Sequence, residues 1–390
     1  MCFQDDLCER GLAPKMITHP EYAAVANYAY HLNSNKLGEF LREHCVKNLN
    51  VQHIVGHVES VYSRENGDIA SLVLKSGEKI AGDLFVDCSG MASILLGRHY
   101  KIPFCSRKHV LFNDRAVAVQ VPYVSEDDPI ASHTISTAQS AGWIWDIGLP
   151  TRKGVGYVYS SAHAEEQTIL DDLQTYVAAS VGKERAEHLE YRSLSFDPGH
   201  REIFWQNNCV AVGMANGFIE PLEASALVLV EAAAGMIAKD FPQTRSVMPI
   251  VAKRFNERIH YYWDTIVDFL KLHYVLSERR DSDYWCDNVD ESAIPESLRE
   301  RLCLWRQQVP NQIDFPLAEE MFPAASWQYV LYGMEFKTDF DRHPRDVEKE
   351  TLALNKFQEV RQFSERCIGC LLYTSPSPRD LSTSRMPSSA

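Results

Sequence analysis

Apolar and polar positions follow three rhythms along the chain. After an aromatic, strand-like piece at Asn27–Tyr30, apolar residues at Leu37, Phe40, Leu41 and Cys45 recur at helical spacing and predict an amphipathic helix. From Val51 to Tyr62 the residues alternate, the period of a half-buried strand; Asn66-Gly67 then supplies a hairpin turn and Ile69–Leu74 the return strand. Ser76-Gly77 turns the chain again, and Ile80 leads into a buried strand at Leu84–Cys88. Short strands continue through 105–161, including a Trp-rich run near residue 143, and Phe204–Val212 reads as one further strand. Residues 164–184 are helical on the spacing of Ile169, Leu170, Leu173, Tyr176 and Val177. The stretch 223–238 is apolar nearly all round, which predicts a buried helix. From about residue 249 the chain becomes a series of amphipathic helices: Val251–Leu276, 292–307, 324–336 and a more polar one at 348–366.

This pattern divides the chain into a mixed α/β part at 1–245, a helical part at 246–366 and a tail at 367–390. The tail contains LLYTSPSPRDLSTSRMPSSA, in which Ser and Pro replace any apolar period. That string cannot build core; it is read as non-native and disordered and is left out of the fold.

Composition narrows the classes. The 390 residues are 45% hydrophobic, 24% charged and 11% aromatic, ordinary for a globular chain long enough for one large core or two smaller ones. A formal charge of −14 disfavours a nucleic-acid partner, because phosphate is repelled by a net acidic surface. No run of eighteen apolar residues exists, so no membrane span is expected, and the polar, acidic start MCFQDDLCERGLAPK is neither a signal nor a transit peptide. Ten mostly isolated Cys suit reduced thiols, which points to the cytoplasm. Cys367 and Cys370 form a lone C-x-x-C without a second pair, so no metal is expected there.

Three segments carry chemistry. In Gly82–Met91 a buried strand ends in a Ser-Gly turn at Gly90; either it brings backbone close to a cofactor or it is an ordinary strand and turn. In Asn208–Ala226 an apolar strand reaches Gly213, a loop crosses Gly217 and Pro221, and a helix starts near Glu223. Strand, loop and helix N-terminus present N–H groups and a positive dipole end to an anion; the plainer alternative makes Glu220 and Glu223 first-turn acids, but so apolar a helix has little other reason to begin with two carboxylates. In Gly142–Gly148, Trp143 and Trp145 stand two apart on a strand and share a face, which by itself means sheet packing.

In this order and spacing the segments resemble flavin-dependent tryptophan halogenases. The family's W-x-W-x-I-P motif is matched by Trp143-Ile-Trp145-Asp-Ile147, with Gly148 in the proline position. Its G-F-x-E-P-L-E-S-T run is matched by Gly217-Phe-Ile-Glu-Pro-Leu-Glu223-Ala-Ser225. His273-Tyr274, Ser277, Arg279, Asp281, Tyr284-Trp285 and Phe322–Trp327 extend the likeness over most of residues 20–340.

The resemblance implies a glutathione-reductase-like FAD-binding α/β fold with a helical C-terminal subdomain. It implies, for the intact parent enzyme, halogenation of an electron-rich aromatic: reduced FAD (FADH2) and O2 convert chloride or bromide to hypohalous acid, which reaches the substrate through a short tunnel. On that basis Glu223 is the carboxylate beside the substrate, and Ser225 and Ala226 hold the halide. Met214 and Leu227 line the flavin; Val58, Gly90, Met91 and Gly213 flank it; Trp143 and Trp145 keep substrate from it; Phe322 belongs to the substrate pocket. A separate flavin reductase would supply the reduced cofactor.

Two departures stand out. The family's G-x-G-x-x-G element and its lysine are absent, and Gly154-x-Gly156 opens no helix that could replace the former. The chain is therefore expected to be an N-terminally truncated member whose first βαβ unit is missing, with a sheet edge left unpaired, poor solubility and little turnover. Second, Asp314–Phe322 has no Tyr pair, which favours an indole or another aromatic without an amino-acid backbone. The alternatives are a flavin-dependent aromatic hydroxylase and an inactive fragment.

Overall fold

Turn chemistry decides the first sheet. In the computed structural model, which describes residues 3–16, 18–20, 22–339 and 344–373, Val58–Ser63, Ile69–Leu74 and Lys79–Ala81 form a three-stranded antiparallel meander. Its turns place Gly67 at φ +83° and Gly77 at φ +85°, as expected of Asn-Gly and Ser-Gly. The first strand starts at Val58 rather than Val51, and Asn27–Tyr30 forms no strand.

A second sheet of five antiparallel strands runs in the order Tyr191–Ser195, Arg115–Pro122, Arg152–Tyr159, Gly142–Gly148, Ile135–Gln139. Its alternation assigns its two faces. Val117, Val119, Val121, Val155 and Tyr157 pack under the helix Glu166–Val181 through Ile169, Leu173 and Val177, whereas Ala116, Trp143 and Val158 join the main core on the other face.

Phe204–Val212 is a hairpin rather than one strand: Trp205–Gln206 turns at Asn207, φ +52°, into Cys209–Ala211. Cys209–Ala211 lies parallel to Phe85–Asp87, with Ala211 opposite Asp87. The buried Asn208 amide ties this pair to the meander, accepting from Ile69 N at 2.8 Å and donating to Ile69 O at 3.0 Å.

The helix Met248–Leu276 carries the C-terminal half, burying Phe255, Ile259, Trp263, Phe269 and Leu270. Trp305 and Trp327 are fully buried against it. Residues from both sides of the boundary expected at 246 share this core, since Val110, Trp143 and Phe204 pack in one cluster with Trp263 and Trp327. Among the described residues no helix is long and apolar enough to cross a membrane, and no cluster of metal-ligating side chains occurs.

Three expectations change. The helix Ser225–Lys239 is not buried all round: only Ser225, Leu229 and Ala233 are, while Leu227 is 63% exposed. The helix Ser34–Asn48 buries none of its residues. The tail is ordered further than its composition suggests. The last helix runs to Ile368, Leu371–Tyr373 pairs with Leu12–Met16, and Cys367 is buried with Leu7, Leu12 and Leu371. The rest of the expected tail, 374–390, lies outside the described residues.

Candidate active site

The first two segments meet at the C-terminal ends of the parallel strands Phe85–Asp87 and Cys209–Ala211. In open α/β sheets ligands bind beyond that end. The buried Asp87 organises the exit: its carboxylate accepts from Ser89 N and Oγ at 3.1 and 2.6 Å, and from Leu95 and Leu96 N at 2.8 and 2.9 Å. Gly90 and Gly213 then turn with φ +67° and +68°, a conformation that L side chains resist. Each opens a 3₁₀ turn, Gly90–Ala92 and Gly213–Ala215, and these turns pack together. Met91 and Met214 are left half-exposed, on a cavity of about 530 Å³ shared with Arg115, Arg201 and Phe218. Two left-handed glycines and two unburied methionines suit a flat, partly apolar ligand approached by backbone. Leu227 is exposed on the helix Ser225–Lys239, whereas Val58 begins the separate meander, opposite Leu74.

The carboxylates Glu220 and Glu223 sit on the loop that follows. Glu220 is buried, and its Oε2 accepts from Asn113 Nδ2 at 2.6 Å, Tyr274 OH at 2.6 Å and Trp143 Nε1 at 2.8 Å. Tyr284 OH donates to Asn113 Oδ1 at 3.1 Å, extending the network. Burial raises the carboxyl of Glu220 above its ordinary range, against the pull of these three donors. The fully buried Lys271 lies within electrostatic reach; burial pushes its amine down to about 7. It donates to Asn288 Oδ1 at 2.8 Å and stands 4.7 Å over the ring of Phe112.

Glu223 precedes the helix rather than starting it. Glu223 and Ala224 take φ +65° and +48°, and the helix begins at Ser225. Two consecutive left-handed non-glycine residues cost about 1–2 kcal/mol each, so their surroundings must hold them. Ser225 is buried and Ala226 exposed, and by helix geometry their amides lack intrahelical acceptors. Glu223 Oε1 lies 3.0 Å from His273 Nε2. Both residues line a cavity of about 970 Å³ with Gln328, Tyr329, Tyr332 and Met334.

The structure seats both Trp on one face, with ring centroids 6.2 Å apart. Trp143 is bonded into the Glu220 cluster. Trp145 lies across Gly156 on the next strand, where any Cβ would fall 2.1 Å from its ring. Gly156 thus makes room for an indole. Phe322 stacks on Phe269 at 4.1 Å and is buried in the core rather than lining the cavity beside Glu223.

Sequence reasoning missed the partners. Asn113 had no signal; His273 and Tyr274 were visible only as part of a motif. Tyr329 and Tyr332 sit at i, i+3 on the helix Ala324–Gly333, a spacing that puts both on one face, a signal that could have been read.

The family model described as tryptophan halogenase matches residues 4–347. Tryptophan 6-halogenase SttH of Streptomyces toxytricini is 35% identical over 333 residues, covering 85% of this chain and 62% of that enzyme. The chain thus spans less than two thirds of that relative's length. The crystal structure of a tryptophan halogenase from Shewanella frigidimarina superposes with a TM-score of 0.91 at 48% identity, covering 96% of this chain and 70% of that one. BrvH, a flavin-dependent halogenase from Brevundimonas sp., does so at 0.83 and 29% identity, covering 98% and 75%. The α/β fold with its helical C-terminal region is that of these structures.

Proposed function

Because the chain belongs to the tryptophan halogenase family, we propose that it serves FADH2- and O2-dependent halogenation of an electron-rich, indole-like aromatic, with Glu223 as the carboxylate beside the substrate. One observation carries this: Glu223 faces a 970 Å³ cavity that Tyr329 and Tyr332 also line, directly ahead of the helix start at Ser225. An aromatic guest, a carboxylate and a halide would then meet within a few residues.

Gly90, Met91, Gly213, Met214 and Leu227 would hold the flavin, with Val58 flanking it. Bound reduced FAD would supply, with O2, the oxidising power that converts halide to hypohalous acid. The residues of this chain do the rest. The amides of Ser225 and Ala226 bind halide at the positive end of the helix dipole. Trp143, fixed by Glu220, and Trp145, seated over Gly156, wall the organic substrate off from the flavin side. Glu223 polarises the incoming electrophile or takes the proton that leaves the ring. A separate flavin reductase is the partner this scheme requires.

Asp314–Phe322 adds support for a substrate without an amino-acid backbone. Two of its three acids are engaged: Asp314 accepts from Trp305 Nε1 at 3.0 Å, and Glu320 from Tyr261 OH at 2.8 Å, while Glu319 is exposed. The test supplies the chain, extended to the full length of its relatives, with a flavin reductase, FAD and indole, with and without bromide or chloride. Halogenated indole that forms only with halide is expected; hydroxylated indole formed without halide would overturn the reading.

A further inference from the structure

Two neighbouring residues at the end of the long helix clamp the two carboxylates of the loop. Tyr274 donates to Glu220, while His273 meets Glu223. The second contact has a consequence for protons. His273 Nδ1 lies 2.8 Å from Phe269 O, a carbonyl that can only accept, so Nδ1 carries a hydrogen. A neutral ring would then present a bare lone pair at Nε2, 3.0 Å from a carboxylate oxygen that also only accepts. Two acceptors do not approach to that distance without a proton between them. The edge-on ring of Phe269, 5.3 Å away, further restricts the imidazole.

We propose that His273 is a positioning residue for Glu223, holding Oε1 of that carboxylate through one proton shared with Nε2 and leaving Oε2 to the guest in the cavity. This rests on the reading of Glu223 as the carboxylate beside the substrate. Among the described residues no hydrogen bond reaches Oε2, so the carboxylate is anchored by one oxygen and usable by the other. The anchor is needed because Glu223 and Ala224 are both left-handed and, among the described residues, nothing else bonds the Glu223 side chain. His273 Nδ1, tied to the helix backbone, makes that anchor rigid.

The experiment has two arms. In the first, on the full chain, ¹⁵N-His NMR at neutral pH reads both ring nitrogens of His273, assigned through H273Q, in wild type and in Glu223→Gln. Wild type should show Nε2 bearing or sharing a proton; Glu223→Gln should show a bare Nε2 with Nδ1 still protonated, since the amide donates instead. An Nε2 signal unchanged between the two would overturn the proposal. In the second, in the chain extended to the full length of its relatives, His273→Ala should lower kcat for indole halogenation by roughly ten- to a hundredfold with little change in KM, and His273→Gln, which keeps an N–H toward Oε1, should recover much of it. Undiminished kcat in His273→Ala would likewise overturn it. The NMR arm decides the shared proton whether or not the chain halogenates, so failure of the activity and failure of the dyad are told apart.

Discussion

Glu220 and Glu223 stand three residues apart on one loop and live in opposite environments. Glu220 is 2% exposed and collects three donors on a single oxygen; Glu223 opens on a cavity and, among the described residues, bonds only His273. A buried carboxyl held through Oε2 by three neutral donors, with Oε1 buried and out of reach of any guest, is a structural device. A carboxylate at a cavity with one oxygen unclaimed can act on a guest. The contrast teaches that acidity in a motif says little; whether an unclaimed oxygen can be reached by a guest says what an acid can do.

The sharpest way to break the comparison is Glu223→Gln. Product formation should fall by about 10²–10⁴-fold, the usual worth of a positioned acid or base, while the thermal midpoint hardly moves. Loss of folding instead would put Glu223 in the structural class. Glu220→Ala should do the reverse, destabilising the chain by roughly 3–5 kcal/mol because Asn113, Trp143 and Tyr274 lose their common acceptor. Urea unfolding measures it; Glu220→Gln, which keeps an acceptor in place, should cost clearly less.

A smaller effect tests burial itself. Asp268, on the same long helix, is 3% exposed and its carboxyl is raised to about 6 by burial, against a bond from Ser297 Oγ at 2.9 Å. The folded state therefore holds its proton more tightly than the unfolded chain. The resulting stability is fully present below about pH 4 and is lost as pH rises through about 6, roughly 3 kcal/mol in all. Asp268→Asn should flatten stability against pH across that window, as read by urea midpoints from pH 4 to pH 7. An unchanged slope would mean that Asp268 keeps more contact with water than its burial implies.

Much of this molecule was legible in one dimension. Asn66-Gly67 and Ser76-Gly77 announced the meander because few residues adopt positive φ. The long apolar periods announced the helices Glu166–Val181 and Met248–Leu276, and the order of the Trp143, Gly213 and Glu223 segments announced the family. These are local properties, written in spacing and turn residues. What only the tertiary structure decided is which groups face each other across long separations. It laid Phe85–Asp87 beside Cys209–Ala211 so that Gly90 and Gly213 turn together. It brought Asn113, Trp143 and Tyr274 to Glu220, and His273 to Glu223. It also left Leu227 exposed on a helix whose composition predicts burial. Periodicity records how apolar a surface is; only packing determines whether another element covers it, and only burial turns two similar acids into different chemical groups.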